Sequence, residues 1–252
     1  MRLSHRIDGP ADAPVLVLSN SIGSDWRMWD GLVPALTAEY RVLRYDQRGH
    51  GRSEVAPGPY SIAELAGDLI GLLDELGIQR PHLAGLSLGG MTGMWLAAHE
   101  PSRVDRMALL CTSALLGPEQ MWLDRAALVR AEGTRAIADA GVRRWLTEEF
   151  ITAQPETVAW CREMMIGTPA EGYAGCCEAI AAMDLRADLP AITASTLVVA
   201  GADDPATPPS HAEVIAAGIS GADLHVVPHA AHLATVEQPS AITDLLLRHF
   251  GG

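Results

Sequence analysis

Gly85-Leu86-Ser87-Leu88-Gly89 sets a hydroxyl between two glycines in the pattern G-x-S-x-G. The residues leading into it, His82 to Leu86, form an apolar run, and Met91 to His99 after it are helical in character. Between a strand and a helix the pattern predicts a very tight turn that presents the serine at a sheet edge; side chains in place of the glycines would clash there. The turn places Ser87 at a helix N-terminus, which favours negative charge developing nearby. A serine hydroxyl is a weak nucleophile until a base takes its proton. The chemistry therefore needs a histidine on the same edge, oriented by a carboxylate.

For a serine on such a turn the expected chain order is serine, acid, histidine. The apolar run Thr196 to Ala200 leads into Gly201-Ala202-Asp203-Asp204-Pro205, and the last strand leads into His229-Ala230-Ala231-His232-Leu233. Each stretch offers two candidates. Asp204 is favoured over Asp203 by the Gly-x-x-Asp spacing from the strand end, which leaves Asp203 as a turn or cap residue. His229 abuts the strand end and reads as structural, so His232, farther out toward the next helix, is favoured as the base. The other histidines (His5, His50, His82, His99, His211, His225, His249) read as surface or packing residues. Attack on a carbonyl creates an oxyanion that needs two donors. The expected pair is the backbone N–H of Leu88, just after the nucleophile, and that of Ile22 in the loop Asn20-Ser21-Ile22-Gly23.

Short apolar runs alternating with helix-period segments are the pattern of an α/β fold with a mostly parallel sheet. Strands are expected at 15–18, 40–45, 82–86, 106–112, 195–200 and 223–228. Ser61 with Glu64 three residues on is a capping box for a helix over 61–76, which Gly77 is placed to stop. Pro239 to Phe250 reads as an amphipathic helix. Between about 117 and 190 no β-branched run occurs, and several short helices are expected; an insert of that length is too long for an ordinary connection and reads as a cap over the sheet edge. Without internal repeats or low-complexity tracts, residues 1–252 read as one domain carrying this insert.

Composition narrows the function classes. All 18 basic residues are arginine, and 31 acidic residues bring the formal charge to -13. That balance argues against a nucleic-acid binder and gives an anionic membrane surface nothing to attract. No apolar run approaches the roughly 18–20 residues of a membrane span, and no signal peptide is visible at the start, so a cytoplasmic protein is expected. The 4 cysteines, with Cys176 and Cys177 adjacent, fit neither a disulfide framework nor a zinc site and read as packing residues.

With Ser87, Asp204 and His232 assigned, the whole chain resembles the α/β-hydrolases. Residues 18–30 (LSNSIGSDWRMWD), 43–53 (LRYDQRGHGRS), 85–97 (GLSLGGMTGMWLA), 172–186 (GYAGCCEAIAAMDLR) and 198–209 (VVAGADDPATPP) together resemble 3-oxoadipate enol-lactonases. The more specific elements are Asn20-Ser21 where many relatives have His-Gly, and the paired cysteines. The resemblance implies the α/β-hydrolase fold, with a mostly parallel eight-stranded sheet, helices on both faces and a helical cap. It also implies Ser-His-Asp acyl-enzyme chemistry that opens 3-oxoadipate enol-lactone to 3-oxoadipate in aromatic-compound degradation, with no metal or cofactor. The substrate would be a small anionic lactone, at odds with the net charge unless a local cation receives its carboxylate. Arg143-Arg144 in the cap is a candidate, chiefly Arg144, since a guanidinium matches a carboxylate bidentately; solvated arginines on a helix face are the alternative. Trp145 and Trp122 could roof the pocket or simply pack. Arg48 and Arg52 are expected to organise their loop around Asp46. A general carboxylesterase or C–C bond hydrolase would share the triad, and a ligand sensor with a vestigial triad would share the fold.

Overall fold

In the computed structural model, which describes residues 1–251, the run His82–Leu86 is buried at every position. Successive strand residues point to opposite faces, so burial at every position requires cover on both, the situation of a central strand in a parallel sheet. This strand is β4. The others are β1 (His5–Asp8), β2 (Val15–Ser19), β3 (Arg41–Tyr45), β5 (Arg106–Leu110), β6 (Ser195–Gly201) and β7 (Asp223–Val227). Their spatial order is β1-β3-β2-β4-β5-β6-β7, with β1 antiparallel to β3 and every other pairing parallel.

Seven strands among the described residues is one fewer than the eight expected. Of the seven, β1 is the one without a sequence expectation. It is a four-residue edge strand in which none of the residues is fully buried, so it carries no apolar run, and its Arg6 and Asp8 pair with each other at 2.8 Å. The expected strand over 106–112 ends at Leu110, because Cys111 adopts φ 43° and turns the chain out of the sheet.

The helices are α1 (Val33–Leu36), α2 (Ile62–Glu75), α3 (Leu88–His99), α4 (Glu119–Glu132), α5 (Arg135–Trp145), α6 (Glu148–Ala153), α7 (Pro155–Ile166), α8 (Ala170–Ala181), α9 (Pro209–Gly218), α10 (Ala234–Glu237) and α11 (Pro239–Phe250). The capping box of α2 is formed: Ser61 Oγ accepts the Glu64 N–H at 3.2 Å and Glu64 Oε2 accepts the Ser61 N–H at 2.9 Å. Gly77, at φ 67°, ends it. One face of α11 buries Ile242, Leu245, Leu246 and Phe250 and packs on β5 and α1.

Five helices, α4 to α8, form the cap between β5 and β6. It is seated on the sheet domain through α8, where Gly172 lies so close to Gly49 that a side chain on either would strike the other's backbone. Glu171 at the start of α8 accepts the Gly58 N–H at 2.7 Å, and Arg130 of α4 pairs with both Glu171 and Glu178 of α8. Below the cap, chain order reverses between β2, flanked by β3, and β4. In an open parallel sheet the crevice at the carboxyl ends of such strands is where ligands bind.

Candidate active site

Four loops meet at that crevice: those after β2, β4, β6 and β7. After β4, Ser87 sits at φ 56° and ψ -115°, a conformation a non-glycine residue adopts only when its surroundings impose it. The flanking glycines are required by contact. A Cβ on Gly85 would run into the carbonyl of Gly89, and one on Gly89 into the carbonyl of Ser19. The end of β5 and the chain just past it brace the turn, since Leu110 accepts the Ser87 N–H at 2.9 Å and the Thr112 hydroxyl donates to the Ser87 carbonyl at 2.7 Å.

After β6, Asp204 is buried while Asp203 is exposed. Asp204 Oδ1 accepts the N–H groups of Ala206 and Thr207 at 2.7 and 3.0 Å, and Oδ2 accepts the Thr207 hydroxyl at 2.7 Å. The Nδ1 of His232, from the loop after β7, lies 2.8 Å from Asp204 Oδ2. An ionised carboxylate only accepts, so Nδ1 carries the hydrogen and Nε2 is left as the basic nitrogen. Burial works against the Asp204 charge, but the His232 ring and the hydrogen bonds outweigh it and draw the pKa down to about 2. His229 is exposed on a turn at φ 52° and has no part in this arrangement. Ser87 and His232 line one cavity.

The loop after β2 is held more tightly than its sequence suggests. Asn20 Nδ2 donates to the Tyr45 carbonyl at 2.8 Å, its Oδ1 accepts the Trp29 indole N–H at 2.9 Å, and its carbonyl accepts from Gln47 and, at 2.9 Å, from Gly89 N–H. The N–H groups of Ile22 and Leu88 have no protein acceptor among the described residues. His50, read from sequence as a surface or packing residue, is the post behind this loop: Nε2 accepts the Gly23 N–H at 2.9 Å and Nδ1 donates to the Arg48 carbonyl at 3.1 Å. Burial pushes its pKa from 6.5 down to about 4, so the folded protein holds it neutral. Between those values the unfolded chain binds a proton that the folded one does not, and stability rises with pH across the window, by on the order of 3 kcal/mol for this group. Denaturant unfolding at pH 4.5 and 7 should therefore give a smaller stability difference in His50→Gln than in the wild type; equal differences would show that His50 does not carry the effect.

Arg48 and Arg52 depart from expectation. Only the backbone N–H of Arg52 reaches Asp46, at 3.0 Å. The Arg48 guanidinium instead bonds Asp68 of α2 at 2.6 and 2.9 Å and lies over the Tyr60 ring.

The cap closes the cavity from above. Trp122, Arg144 and Trp145 line it, as do Arg125, Met165 and Tyr173, for which the sequence suggested no role. Arg143 points away and pairs with Glu148 on the surface. Arg125 lies over the Trp122 ring, 5.1 Å from its centre, and its charge acts on the Tyr173 hydroxyl. Arg144 is half-buried; burial, then the neighbouring charge of Arg125, lowers its pKa. Neither arginine has a carboxylate partner among the described residues. Cys176 and Cys177 are fully buried, and burial raises both thiols, consistent with packing. No described helix is long and apolar enough to cross a membrane.

Comparison with known proteins agrees with this architecture. The alpha/beta hydrolase fold family model matches residues 14–144. 3-Oxoadipate enol-lactonase 2 of Acinetobacter baylyi is 41% identical over 95% of this chain and 89% of its own length. The crystal structure of the enol-lactonase from Burkholderia xenovorans LB400 superposes with a TM-score of 0.97 at 42% identity, covering 99% of this chain and 96% of that one. RutD of Variovorax paradoxus, whose name assigns it carbamate hydrolysis provisionally, is 34% identical over 98% of this chain and 95% of its length. With its serine turn, its strand order and these relatives, the chain belongs to the α/β hydrolase fold family.

Proposed function

We propose that this protein is a serine hydrolase that opens 3-oxoadipate enol-lactone to 3-oxoadipate, with Ser87 as nucleophile, His232 as base and acid, and Asp204 as the carboxylate that orients His232. One observation carries the substrate class: the half-buried Arg144 guanidinium, without an acidic partner, shares a cavity with Ser87 and His232. The relatives named for this reaction support the same choice.

In this reading His232 Nε2 takes the Ser87 proton as Oγ attacks the lactone carbonyl. The oxyanion of the tetrahedral intermediate accepts from the Ile22 and Leu88 N–H groups, donors aimed at the charge that develops. Collapse breaks the ring C–O bond and expels an enolate oxygen. An enol is more acidic than an alcohol, so the proton His232 returns completes an easy departure, and the enol becomes the ketone. His232 then deprotonates a water that attacks the acyl-enzyme; a second collapse returns the proton to Ser87 and frees the dicarboxylate.

The substrate carboxylate would sit on Arg144, under Trp145 and Trp122. A net charge of -13 repels an anion at long range, so the two cavity arginines must supply the local attraction. The cavity is narrow, about 40 Å³, so the cap or its side chains are expected to adjust as a lactone binds.

The test follows loss of ultraviolet absorbance from enzymatically generated enol-lactone beside release of p-nitrophenol from its acetate. A kcat/KM for the lactone of roughly 10⁴ M⁻¹s⁻¹ or more is expected. Slow lactone opening with fast ester cleavage would leave the serine chemistry standing and remove the lactone. Arg144→Gln should raise KM for the lactone about tenfold to a hundredfold, the range of a lost charged hydrogen bond, and leave KM for the neutral ester within about twofold. Equal changes for both substrates would take Arg144 out of carboxylate recognition.

A further inference from the structure

Glu237 is a buried carboxylate that the chemistry above leaves unused. It is 8% exposed and pairs with no cation among the described residues. Burying an unpaired carboxylate is costly, and an apolar side chain would fill the space with less penalty. Its oxygens instead gather three donors from two separate segments. Oε2 accepts the N–H of Ala231, the residue before His232, at 2.5 Å. Oε1 accepts both the N–H and the hydroxyl of Thr147, at 2.8 Å each. A fourth bond joins the same segments on the other side of His232, from the Leu233 N–H to the Trp145 carbonyl at 2.8 Å. The short helix α10 makes this possible: its single turn, with the Glu237 N–H on the Leu233 carbonyl at 3.1 Å, folds Glu237 back over the histidine loop.

We infer that Glu237 is a positioning residue that ties the loop carrying His232 to the cap segment Trp145–Thr147. The inference rests on the serine-hydrolase reading above. Arg144 and Trp145 line the substrate side of the cavity, and the chain beyond them ends on Glu237, so the seating of the cap and the placement of the imidazole share one set of hydrogen bonds. Only a carboxylate of this length serves. Both neighbours present N–H groups, so glutamine, whichever way its amide turns, sets its own NH₂ against one of them. Aspartate is one methylene too short to span both.

The experiment measures kcat, KM and thermal unfolding for Glu237→Gln on both p-nitrophenyl acetate and the enol-lactone, beside Ser87→Ala. Misplacement of a catalytic group by about an ångström costs on the order of a hundredfold, so kcat should fall at least about tenfold on both substrates, with KM for the neutral ester changed less than about threefold. A folded Glu237→Gln with wild-type kcat, whatever its melting temperature, would overturn the inference. Should that variant fail to fold, Thr147→Val, which removes one of the three donors, is expected to lower kcat about threefold to tenfold on the ester as well as the lactone; unchanged ester kcat there would overturn it equally. Ser87→Ala separates the two levels: if it keeps turnover the serine reading itself fails, whereas a dead Ser87→Ala beside a fully active Glu237→Gln removes only the role of Glu237.

Discussion

Ser87→Ala is expected to lose about 10⁴- to 10⁶-fold in kcat on both lactone and ester while unfolding within a few degrees of the wild type. The size follows from what the variant keeps. The Ile22 and Leu88 N–H groups and the cap arginines would still bind and polarise the carbonyl, so a residual rate above that in water, on the order of 10³-fold, should survive. The fold should hold because the hydroxyl makes no hydrogen bond that braces the turn. Ser87 is held through its own backbone, by the Leu110 carbonyl and the Thr112 hydroxyl, and alanine offers the same backbone atoms. The positive φ of 56° is paid for equally by either residue. A fluorophosphonate should label the wild type once, on Ser87, and should not label the variant. More than about a tenth of wild-type activity in Ser87→Ala would exclude a covalent serine route and leave direct attack by a water on His232 as the chemistry.

How much of this could be read along the chain depends on whether the determinant is local. The Ser87 turn, the run into Asp204 and the loop to His232 each follow a strand end, so strand, turn and candidate residue are contiguous in sequence and their order is visible. A three-residue spacing favours Asp204 over Asp203, and in the structure the two side chains part completely, one buried on His232 and one in solvent. The long-range partners had no such signature. His50 and Gly23 are joined across 27 residues, and Glu237 and Thr147 across 90. Arg125 was hidden for a different reason. It lies three residues after Trp122 on α4, a spacing that puts the two on one helix face, but a lone Trp-x-x-Arg in a helix reads equally well as surface. The strand β1 escaped because pairing at an edge needs backbone rather than an apolar run.

Asp204→Asn should cost about 10⁴-fold in kcat, whereas Asp203→Asn should be nearly silent. The reason is the tautomer of His232 rather than the loss of one charge. In the wild type, Asp204 Oδ1 is occupied by the N–H groups of Ala206 and Thr207, so the amide oxygen of an asparagine would stay there and its NH₂ would replace Oδ2. That NH₂ donates to His232 Nδ1, which must then become the acceptor, and the ring proton moves to Nε2. Nε2, the nitrogen proposed to take the Ser87 proton, would then have no lone pair for it. Asp203 touches none of these atoms; only its backbone N–H is engaged, on the Ala230 carbonyl at 3.0 Å. The same pair sets a stability signature in acid. The Asp204 pKa stands at about 2, below its ordinary 3.8, so its contribution, on the order of 2 kcal/mol, is full above pH 4 and is lost as pH falls through 3.8 to 2. Asparagine cannot titrate, so the gap in stability between wild type and Asp204→Asn should narrow over that interval. Comparable losses of kcat in the two asparagine variants, or a larger one in Asp203→Asn, would mean that His232 is oriented by something other than Asp204.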